Sequence, residues 1–322
     1  MIETLLADLD RDADGIYGVA PENSSQQKEV AFRESVTDLP MDFDYMTEIG
    51  RHHSIAVMDR EVGRFTALLP QNAQIVDVGG CWGWHWRNLA ELRPDIKVFI
   101  VDFVRSNLLR AKIVLGSRID NSIFLVHGDA VSLKFPDNSF DGYWTVQTMQ
   151  HIPDFNGAIS EARRVLRVGG HFANYSLNVQ PSIRALSRLS GRPYVVEGEF
   201  GEHLFLRRAR PQHGELISRY FNAVVKRRFS EFLFQPNLRI TFTGHEHSKL
   251  GKLDSLLSCS SPLLGSLARQ QSFHCVAGPM LAKTQSAFES IGADVALWGD
   301  ENTGPGHTSE RSASVQRQLL VR

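Results

Sequence analysis

The sequence predicts an α/β fold, in which a mostly parallel sheet of seven strands carries helices on both faces and a helical and irregular cap follows the fifth strand. Two observations predict this fold. Apolar runs of strand length alternate with amphipathic helical patterns between about residues 57 and 176, and parallel strands need crossover connections of this kind. After that the alternation stops, and charged and aromatic residues interleave before two further apolar runs.

The regular part of the pattern defines four helices and five strands. Pro70 ends the first helix, a glycine-containing turn precedes the second, and Gly169 and Gly170 form the turn before the fifth strand. The predicted helices are 57–69, 84–92, 106–115 and 156–166. The predicted strands are 74–78, 97–102, 122–126, 140–146 and 171–176.

The rest of the pattern is less regular. It predicts helices over 181–192, 214–222 and 253–268, with a break near Pro262, and strands over 224–232 and 273–281; residues 195–210 are expected to be irregular. The two late strands complete the edge of the sheet.

The ends of the chain differ from its middle. Residues 1–40 mix acidic, serine and glutamine residues without lasting periodicity, so we expect a loosely ordered extension. Residues 41–283 form one domain, with a cofactor half at about 69–178 and a substrate cap and sheet edge at about 179–283. Residues 284–322 form a partly mobile C-terminal extension, because the sequence after Trp298 is rich in Gly, Ser, Thr and Gln.

Composition and charge narrow the class of protein. Of the 322 residues 42% are hydrophobic and 22% are charged, which is typical of a folded globular chain. The 35 Lys and Arg residues nearly balance 36 Asp and Glu residues, giving a formal net charge of −1. Because nucleic-acid-binding surfaces are normally basic, we expect no nucleic-acid partner.

The cysteines and the N-terminus indicate a cytoplasmic protein. Cys81, Cys259 and Cys275 are too few and too scattered for a disulfide framework, and they form no metal-binding pair, so a reducing compartment and no metal are expected. The first ten residues carry acids and no basic segment, unlike a signal peptide. We expect no transmembrane segment, while peripheral membrane contact and the oligomeric state stay open.

The strongest local signal is Asp77-Val78-Gly79-Gly80-Cys81-Trp82-Gly83, a turn between a strand and a helix. In an open α/β sheet the ligand crevice lies at this end of the strands. A dinucleotide-binding turn would need a second glycine at Cys81 and another three residues later, and both are missing. A cofactor without a pyrophosphate, such as S-adenosylmethionine, fits the turn better.

Two further acids follow the next two strands. Asp102 is placed to accept hydrogen bonds from both ribose hydroxyls, and Asp129 is placed to accept from the adenine amino group, with Ala130 supplying a backbone donor. Each acid also has a simpler explanation: Asp77 stabilises a turn, Asp102 caps a helix, and Asp129 forms an Asx turn. Three acids at three matched strand ends favour a shared ligand.

The central third of the chain resembles the class I S-adenosylmethionine-dependent methyltransferases, most closely the methyltransferase type 11 group that includes ubiquinone and menaquinone biosynthesis enzymes. Six stretches carry the resemblance in the right order: 75–79, 101–102, 128–130, 135–141, 150–154 and 165–170. It implies a Rossmann-like fold with S-adenosyl-L-methionine as cofactor. The cofactor-binding residues would be Asp77, Gly79, Gly80, Cys81, Gly83, Asp102, Phe103, Asp129, Ala130 and Val146.

One departure from the family pattern concerns the cofactor turn. The family usually has D-x-G-x-G-x-G, and Cys81 stands here in place of the middle glycine. The path of the loop is therefore open, although no pyrophosphate has to be accommodated. A relative that has lost cofactor binding is the alternative.

The loop after the fourth strand is expected to face the transferred methyl group. His151 is the candidate base, because an unperturbed histidine titrates near neutral pH; the alternative is that it caps a helix or bonds a backbone carbonyl. The loop has neither the N/D-P-P-Y motif of amino-methylating nucleic-acid enzymes nor a Pro-Cys nucleophile. This disfavours methylation of nucleic-acid bases.

Aromatic and histidine residues flank the cofactor turn. Trp82, Trp84 and Trp86 either form a wall against adenosine or pack into the core, and packing is preferred for at least two of them. His52 and His53 are expected at the surface. A role for Tyr45 or Arg51 at the cofactor's carboxylate is a further hypothesis.

The cap is locally basic and aromatic. Ten Arg and Lys residues between 184 and 228 outnumber four glutamates, which suits a phosphate or carboxylate on the acceptor, although a solvated face explains most of them. The interleaved aromatic residues suit an amphipathic acceptor or the cap's own core: Tyr194, Phe200, Phe205, Tyr220 and Phe221.

The combined prediction is methyl transfer from S-adenosylmethionine to a small-molecule acceptor, such as an anionic sugar, a lipid precursor or a secondary metabolite. The alternatives are an RNA or protein methyltransferase, a non-catalytic S-adenosylmethionine-binding protein, and a nicotinamide oxidoreductase. The sequence does not identify the acceptor atom.

Overall fold

The computed structural model describes residues 2–18, 30–31, 34, 45–191, 193–200, 204–238, 240 and 248–279. Its helices of four residues or more are α1 Ile2–Leu6, α2 Tyr45–His52, α3 Ile55–Ala67, α4 Leu89–Leu92, α5 Arg105–Leu115, α6 Phe155–Val165, α7 Pro181–Leu189, α8 Pro211–Phe221, α9 Lys249–Leu256 and α10 Pro262–Gly265. Its strands are β1 Tyr17–Gly18, β2 Gln74–Val78, β3 Lys97–Asp102, β4 Ile123–His127, β5 Phe140–Val146, β6 Leu166–Leu177, β7 Glu197–Phe200, β8 Leu204–Arg207, β9 Lys226–Ser230 and β10 Gln270–Val276.

The central sheet has the order β1-β4-β3-β2-β5-β6-β10-β9. The first six strands in this order pair in parallel, and β10 runs antiparallel to both β6 and β9. This confirms the predicted mostly parallel α/β fold, and each predicted strand is present. The predicted count of seven is wrong: within the described residues the main sheet has eight strands, because β1 adds a short parallel edge beside β4.

The strand order reverses direction at β2. From β2 the chain continues to β3 and β4 on one side, and then crosses to β5 and β6 on the other side. The carboxyl ends of β2 and β5 therefore flank a topological switch point, where open α/β sheets leave a crevice for ligands.

Alternate side chains of the parallel strands enter two separate cores. On one face Val76 and Phe99 pack with residues of α6, including Ile159. On the opposite face Ile75 and Val98 pack with residues of α3 and α5. Since both faces are covered, these strands are mostly apolar on both faces, which is why their sequence signal is strong.

Several short elements differ from the expectations. The helix predicted over 84–92 is divided into a 3-10 turn, Trp84–Trp86, and α4. Residues 195–210, expected to be irregular, contain the antiparallel hairpin β7–β8. Residues 2–18, expected to be loosely ordered, form α1 and β1. Elements this short leave little periodicity to detect.

The remaining expectations about domain bounds stay predictions. Residues 284–322 lie outside the described residues. Among the helices that the structure does describe, none combines the length and the apolar character needed to cross a lipid bilayer.

Candidate functional site

The loop after β2 is closely packed against the loop after β5. Gly79 has a φ of 70°, and its N–H donates to Val101 O at 2.7 Å. The Thr148 hydroxyl donates to Gly79 O at 3.2 Å. A Cβ atom added to Gly79 would lie 2.1 Å from Thr148 Oγ1, so only glycine fits here.

Cys81 occupies the position of the missing middle glycine and adopts a glycine-like backbone. Its φ is 50°, in the left-handed region, and Gly83 follows with a φ of 67°. A left-handed conformation costs a non-glycine residue about 1–2 kcal/mol. The Cys81 N–H donates to Asp102 Oδ2 at 2.8 Å. The loop therefore keeps its turn despite the substitution, and its backbone is tied to the acid at the end of β3.

Asp102 is held by several donors at the carboxyl end of β3. Besides Cys81, Val104 N–H donates to Oδ1 at 2.8 Å, and Asn107 Nδ2 donates to the same oxygen at 3.2 Å. The residue is buried. These contacts fix the plane of the carboxylate beside the glycine loop. Val104 is the N-cap of α5, so Asp102 does not cap this helix as the alternative interpretation held.

Asp77 lies beneath the loop and is almost completely buried, with 1% of its surface exposed. Trp86 Nε1 donates to its Oδ2 at 2.7 Å. Burial, aided by the negative charge of Asp102, raises the pKa of Asp77 to about 7. Gly80 packs on this carboxyl group, because an added Cβ would lie 2.5 Å from Oδ2. Asp77 is thus placed to support the loop from below.

Asp129 and Ala130 follow β4, the neighbour of β3. Val131 N–H donates to Asp129 Oδ1 at 3.1 Å, which is the Asx turn weighed for this acid. Burial raises the pKa of Asp129. Phe103 is half-buried beyond Asp102, and its carbonyl oxygen contacts His127 Nε2 at 3.2 Å.

The sheet register brings the sequence-predicted residues to one edge. Asp102 pairs with His127, two residues before Asp129, so the two acids lie at the ends of adjacent strands. Val146 ends β5, and the loop of residues 79–83 lies beside it at the end of β2. That these residues bind a cofactor stays a prediction.

Sequence reasoning missed Gln147 and Thr148, which follow β5. Gln147 has a φ of 53°, and its N–H donates to Tyr175 O at 2.7 Å. Its side chain is buried, and neither amide atom has a hydrogen-bond partner among the residues that the structure describes. Because buried amide groups normally form hydrogen bonds, the unpaired group suits a polar ligand at this edge. Together with the glycine loop, the unpaired amide makes this edge fit a ligand that carries hydrogen-bonding groups.

His151 is linked to the cap hairpin. Its Nδ1 lies 2.8 Å from Phe205 O in β8, and its Nε2 lies 3.0 Å from Gln150 Nε2. The Gln150 Oε1 atom accepts from Leu177 N–H, so the amide nitrogen faces the imidazole as a donor. These partners assign the proton to Nδ1 and a lone pair to Nε2. The carbonyl contact supports the positioning alternative, and a role as base stays a prediction.

The aromatic turn is packed into the interior. Trp82, Trp84 and Trp86 are each no more than 4% exposed, as the preferred packing interpretation required. The His85 ring stacks on Trp84 with centroids 4.0 Å apart and meets Trp144 at 6.0 Å. Both His85 ring nitrogens are buried without a hydrogen-bond partner.

The expectation that His52 and His53 lie at the surface is wrong. His52 is buried, and its Nε2 contacts Glu48 at 3.1 Å. His53 packs near Trp84, with ring centroids 5.7 Å apart, and burial lowers its pKa. The cause is α2, which the sequence analysis did not predict. Arg51 is exposed and pairs with Glu48 at 2.5 Å, so nothing supports its hypothesised role at a cofactor carboxylate.

Because of His85, we expect the protein to lose stability in mild acid. Burial, aided by the positive charge of Arg87, lowers its pKa from 6.5 to about 3. The unfolded chain therefore binds a proton that the folded chain excludes between these pH values, so stability falls as the pH drops below 6.5. From pH 7.5 to pH 5 the His85 contribution is a loss of about 2 kcal/mol.

His85→Phe keeps a ring in the same stack but removes the titrating group. Urea unfolding at pH 7.5 and pH 5 should show a smaller decrease in the free energy of unfolding for His85→Phe than for the original protein. Equal decreases for the two proteins would contradict this assignment.

Comparisons with known proteins identify the central region. A family model described as a methyltransferase domain matches residues 76–174. The 27-O-demethylrifamycin SV methyltransferase of Amycolatopsis mediterranei is 32% identical over 173 residues, which are 50% of this chain and 63% of that protein. The demethylmenaquinone methyltransferase of Symbiobacterium thermophilum is 30% identical, over 46% of this chain and 60% of that protein. The chain therefore spans less than two thirds of each of these relatives.

Solved structures agree on the fold. A geranyl diphosphate C-methyltransferase from Streptomyces coelicolor A3(2), solved with Mg²⁺, geranyl diphosphate and S-adenosyl-L-homocysteine, superposes with a TM-score of 0.52. The match covers 80% of this chain and 100% of that chain at 10% sequence identity. At this identity the likeness shows the fold alone.

Proposed function

Residues 76–174 form a class I S-adenosyl-L-methionine-dependent methyltransferase domain, and from this premise we propose that the whole protein transfers a methyl group to a small-molecule acceptor. The observation that carries the proposal is the edge formed by β2, β3 and β4. There a glycine turn, Asp102 and Asp129 follow three adjacent strands, and Cys81 N–H joins the turn to Asp102.

Each residue of this edge has a proposed task. Asp102, fixed by its donors, accepts hydrogen bonds from the ribose hydroxyls of the cofactor, and Asp129 with Ala130 meets the adenine. The loop from Gly79 to Gly83 provides backbone groups, and Asp77 supports it from below through Trp86. Gly80, Phe103 and Val146 complete the proposed pocket walls. S-adenosyl-L-methionine, when bound, supplies an electrophilic methyl group for in-line displacement.

The acceptor is proposed to approach over the ends of β5 and β6. Gln147 lies there with two unpaired amide atoms that can hold a hydroxyl or carbonyl of the acceptor. His151 Nε2 has the lone pair that a base needs, and it would have to exchange the Gln150 amide for the acceptor's proton donor. In this proposal the main contribution to catalysis is the positioning of the acceptor, and His151 is the proposed proton acceptor.

The acceptor class is proposed as an anionic sugar, a lipid precursor or a secondary metabolite. The similar relatives named above are methyltransferases of small organic molecules, a rifamycin and a menaquinone precursor. The near-neutral charge of the chain supports this class over RNA.

The first experiment is calorimetric titration with S-adenosyl-L-methionine, S-adenosyl-L-homocysteine and NADH. Binding of both sulfur compounds without binding of NADH is expected. Transfer of a labelled methyl group is then measured with demethylated quinones and rifamycins, with tRNA, and with protein. Turnover on tRNA or protein alone would mean that the acceptor is a macromolecule and not a small molecule. Cofactor binding without any turnover would favour a non-catalytic protein.

Asp102→Ala is expected to weaken S-adenosyl-L-homocysteine binding by about 1–3 kcal/mol, as for lost hydrogen bonds to a charged group. This corresponds to an increase in the dissociation constant of about 5- to 150-fold. Asp137→Ala is the charge-matched control, because Asp137 is exposed and pairs with Arg164 away from this edge. Unchanged affinity in Asp102→Ala, measured by calorimetry, would remove Asp102 from the ribose role.

A further inference from the structure

A large cleft opens beside the carboxyl end of β6, and we call it the cap cleft. Its walls are residues 178–179 after β6, the start of α7, residues 194–199, residues 209–212 at the start of α8, and parts of β9, α10 and β10. It encloses about 970 Å³. This is at the upper end of the range of small-molecule pockets.

The cap cleft has an excess of positive charge. Arg184, Arg210 and Arg227 line it together with Glu197 and Glu199. Glu197 is already shared by two arginines, since it pairs with Arg210 at 2.7 Å and with Arg207 at 2.9 Å. Within the part of the chain that the structure describes, Arg184 and Arg227 have no carboxylate partner.

Arg227 is held in place by neutral groups. Its guanidinium carbon lies 5.4 Å from the centre of the Phe229 ring. With the Gln271 amide turned so that its oxygen faces the arginine, this oxygen accepts from Nε at 2.7 Å and from Nη2 at 3.1 Å. A guanidinium has five N–H donors, so donors remain for an anion. Burial lowers the pKa of Arg227.

A second arginine with the same character supports the wall of the cap cleft. The Arg208 guanidinium carbon lies 4.6 Å from the ring centre of Tyr194, and its Nε donates to Val195 O at 2.9 Å. Arg208 is 7% exposed, and within the described residues its hydrogen bonds go to the backbone carbonyls of Val195 and Asn178. Arg208 does not line the cleft itself, but its buried charge lies directly behind the wall residues Tyr194 and Val195.

The cap cleft also has apolar wall residues, which stand beside uncharged polar ones. The apolar residues include Val179, Pro181, Val196, Pro262 and Phe229. A ligand that satisfies both parts carries an anionic group next to a hydrocarbon or ring portion. A free inorganic anion would leave the apolar walls uncovered, and an uncharged molecule would leave the arginines without a partner.

The position of the cap cleft relates it to the cofactor edge. Asn178 and Val179 follow β6, which is two strands from β2 in the sheet. Adjacent strands lie about 4.8 Å apart, so the end of β6 is about 10 Å from the end of β2. A molecule bound in the cleft can therefore extend across the end of β5 toward the proposed methyl donor.

We propose that the cap cleft binds the anionic end of an amphipathic methyl acceptor, with Arg184 and Arg227 recognising its phosphate or carboxylate group. The identification of the ligand as a methyl acceptor rests on the proposed function. The arginines determine which acceptors bind, and Gln147 and His151 lie nearer to the reacting atoms.

The test is calorimetric titration of the full chain, saturated with S-adenosyl-L-homocysteine, with octyl phosphate. Octan-1-ol and inorganic phosphate serve as the uncharged and the purely ionic probes. One octyl phosphate is expected per chain, with an affinity at least tenfold higher than that of either probe. Absence of octyl phosphate binding, or equal binding of all three compounds, would overturn the inference.

Three variants locate the binding. Arg184→Gln changes an exposed residue and Arg227→Gln changes the half-buried one; each is expected to weaken octyl phosphate binding at least fivefold. Arg219→Gln is the matched control, because Arg219 is exposed near the opposite end of α8 and should change the affinity less than twofold. Equal affinities in all three variants would place the ligand elsewhere and overturn the inference.

The same titrations separate this inference from the proposed function. If S-adenosyl-L-homocysteine binds but octyl phosphate does not, the acceptor inference fails while the proposed cofactor site stands. If octyl phosphate binds through the arginines in a protein that binds no S-adenosyl-L-homocysteine, the cleft is confirmed as a site for amphipathic anions and the proposed function fails.

Discussion

Arg269→Met is expected to destabilise the protein by about 3–5 kcal/mol, because it leaves a buried carboxylate without its counter-ion. Arg269 is 3% exposed and pairs through Nη1 with Oε2 of Glu231, which has no exposed surface. Ser54 N–H donates to the other Glu231 oxygen at 3.0 Å. The pair thus joins the start of α3 to the chain between β9 and β10, and its loss should loosen both.

Burial raises the pKa of Glu231, and the Arg269 charge opposes this shift. Without Arg269 the carboxyl group should take up a proton more readily in the folded state. A folded-state pKa above the unfolded value means that stability increases as the pH falls toward the unfolded value. The destabilisation of Arg269→Met, measured by urea unfolding, should therefore be smaller at pH 5 than at pH 7.5.

Two variants control this experiment. Glu231→Gln combined with Arg269→Met removes both charges while keeping an acceptor for Ser54 N–H, and it should be less destabilised than Arg269→Met alone. Arg118→Met interrupts a pair at 3.9 Å between half-buried Arg118 and exposed Glu91, and it should change the free energy of unfolding by less than about 0.5 kcal/mol. Equal effects of Arg269→Met and Arg118→Met would mean that the buried pair contributes no more than an exposed one.

The parallel part of the fold was predictable because its strands are buried on both faces. The predicted bounds of 74–78, 97–102 and 140–146 agree residue for residue with β2, β3 and β5. Each is a mostly apolar run between turn signals, and burial from both sides favours such a run. The edge strand β1 has only two residues, so no pattern marked it.

The cap was less predictable because its elements are short and partly polar. The hairpin β7–β8 has the sequence EGEF in one strand and LFLR in the other, and Leu204 and Leu206 are its buried positions in β8. This alternation with period two is the signal that could have predicted the strand. The alternation shows which residues share a face of the strand. Which face is buried depends on the packing of the hairpin against the rest of the protein, and only the tertiary structure determines this packing.

The candidate site also has a part that the sequence predicted and a part that it did not. Asp102 and Asp129 were placed correctly at neighbouring strand ends, since strands that are consecutive in the chain most often lie side by side in the sheet. The contact of Trp86 with Asp77 and the burial of His53 depend on the turn at Trp84–Trp86 and on α2. Neither contact leaves a periodic trace in the sequence.

Gly79→Ala is expected to lower the free energy of unfolding by about 2–4 kcal/mol, combining left-handed backbone strain with steric overlap. Gly79 has a φ of 70°, and the new Cβ would lie 2.1 Å from Thr148 Oγ1 and 2.5 Å from Thr148 Cβ. The loop must move away from β5 to relieve the overlap. Because this loop is the proposed cofactor contact, S-adenosyl-L-homocysteine affinity should fall at least tenfold, measured by calorimetry beside urea unfolding.

Gly63→Ala is the matched control, because a Cβ at Gly63 in the middle of α3 meets nothing within 4 Å. This change should stabilise the protein by about 0.5–1 kcal/mol, the usual gain for alanine over glycine in a helix, and leave cofactor affinity unchanged. Adding Thr148→Ala to Gly79→Ala removes Oγ1 and Cγ2 and should restore part of the stability, while the backbone strain and the 2.5 Å overlap with Cβ of residue 148 remain. If Gly79→Ala instead behaves like Gly63→Ala, the close contact between the two loops does not exist in solution, and the proposed cofactor turn is wrong.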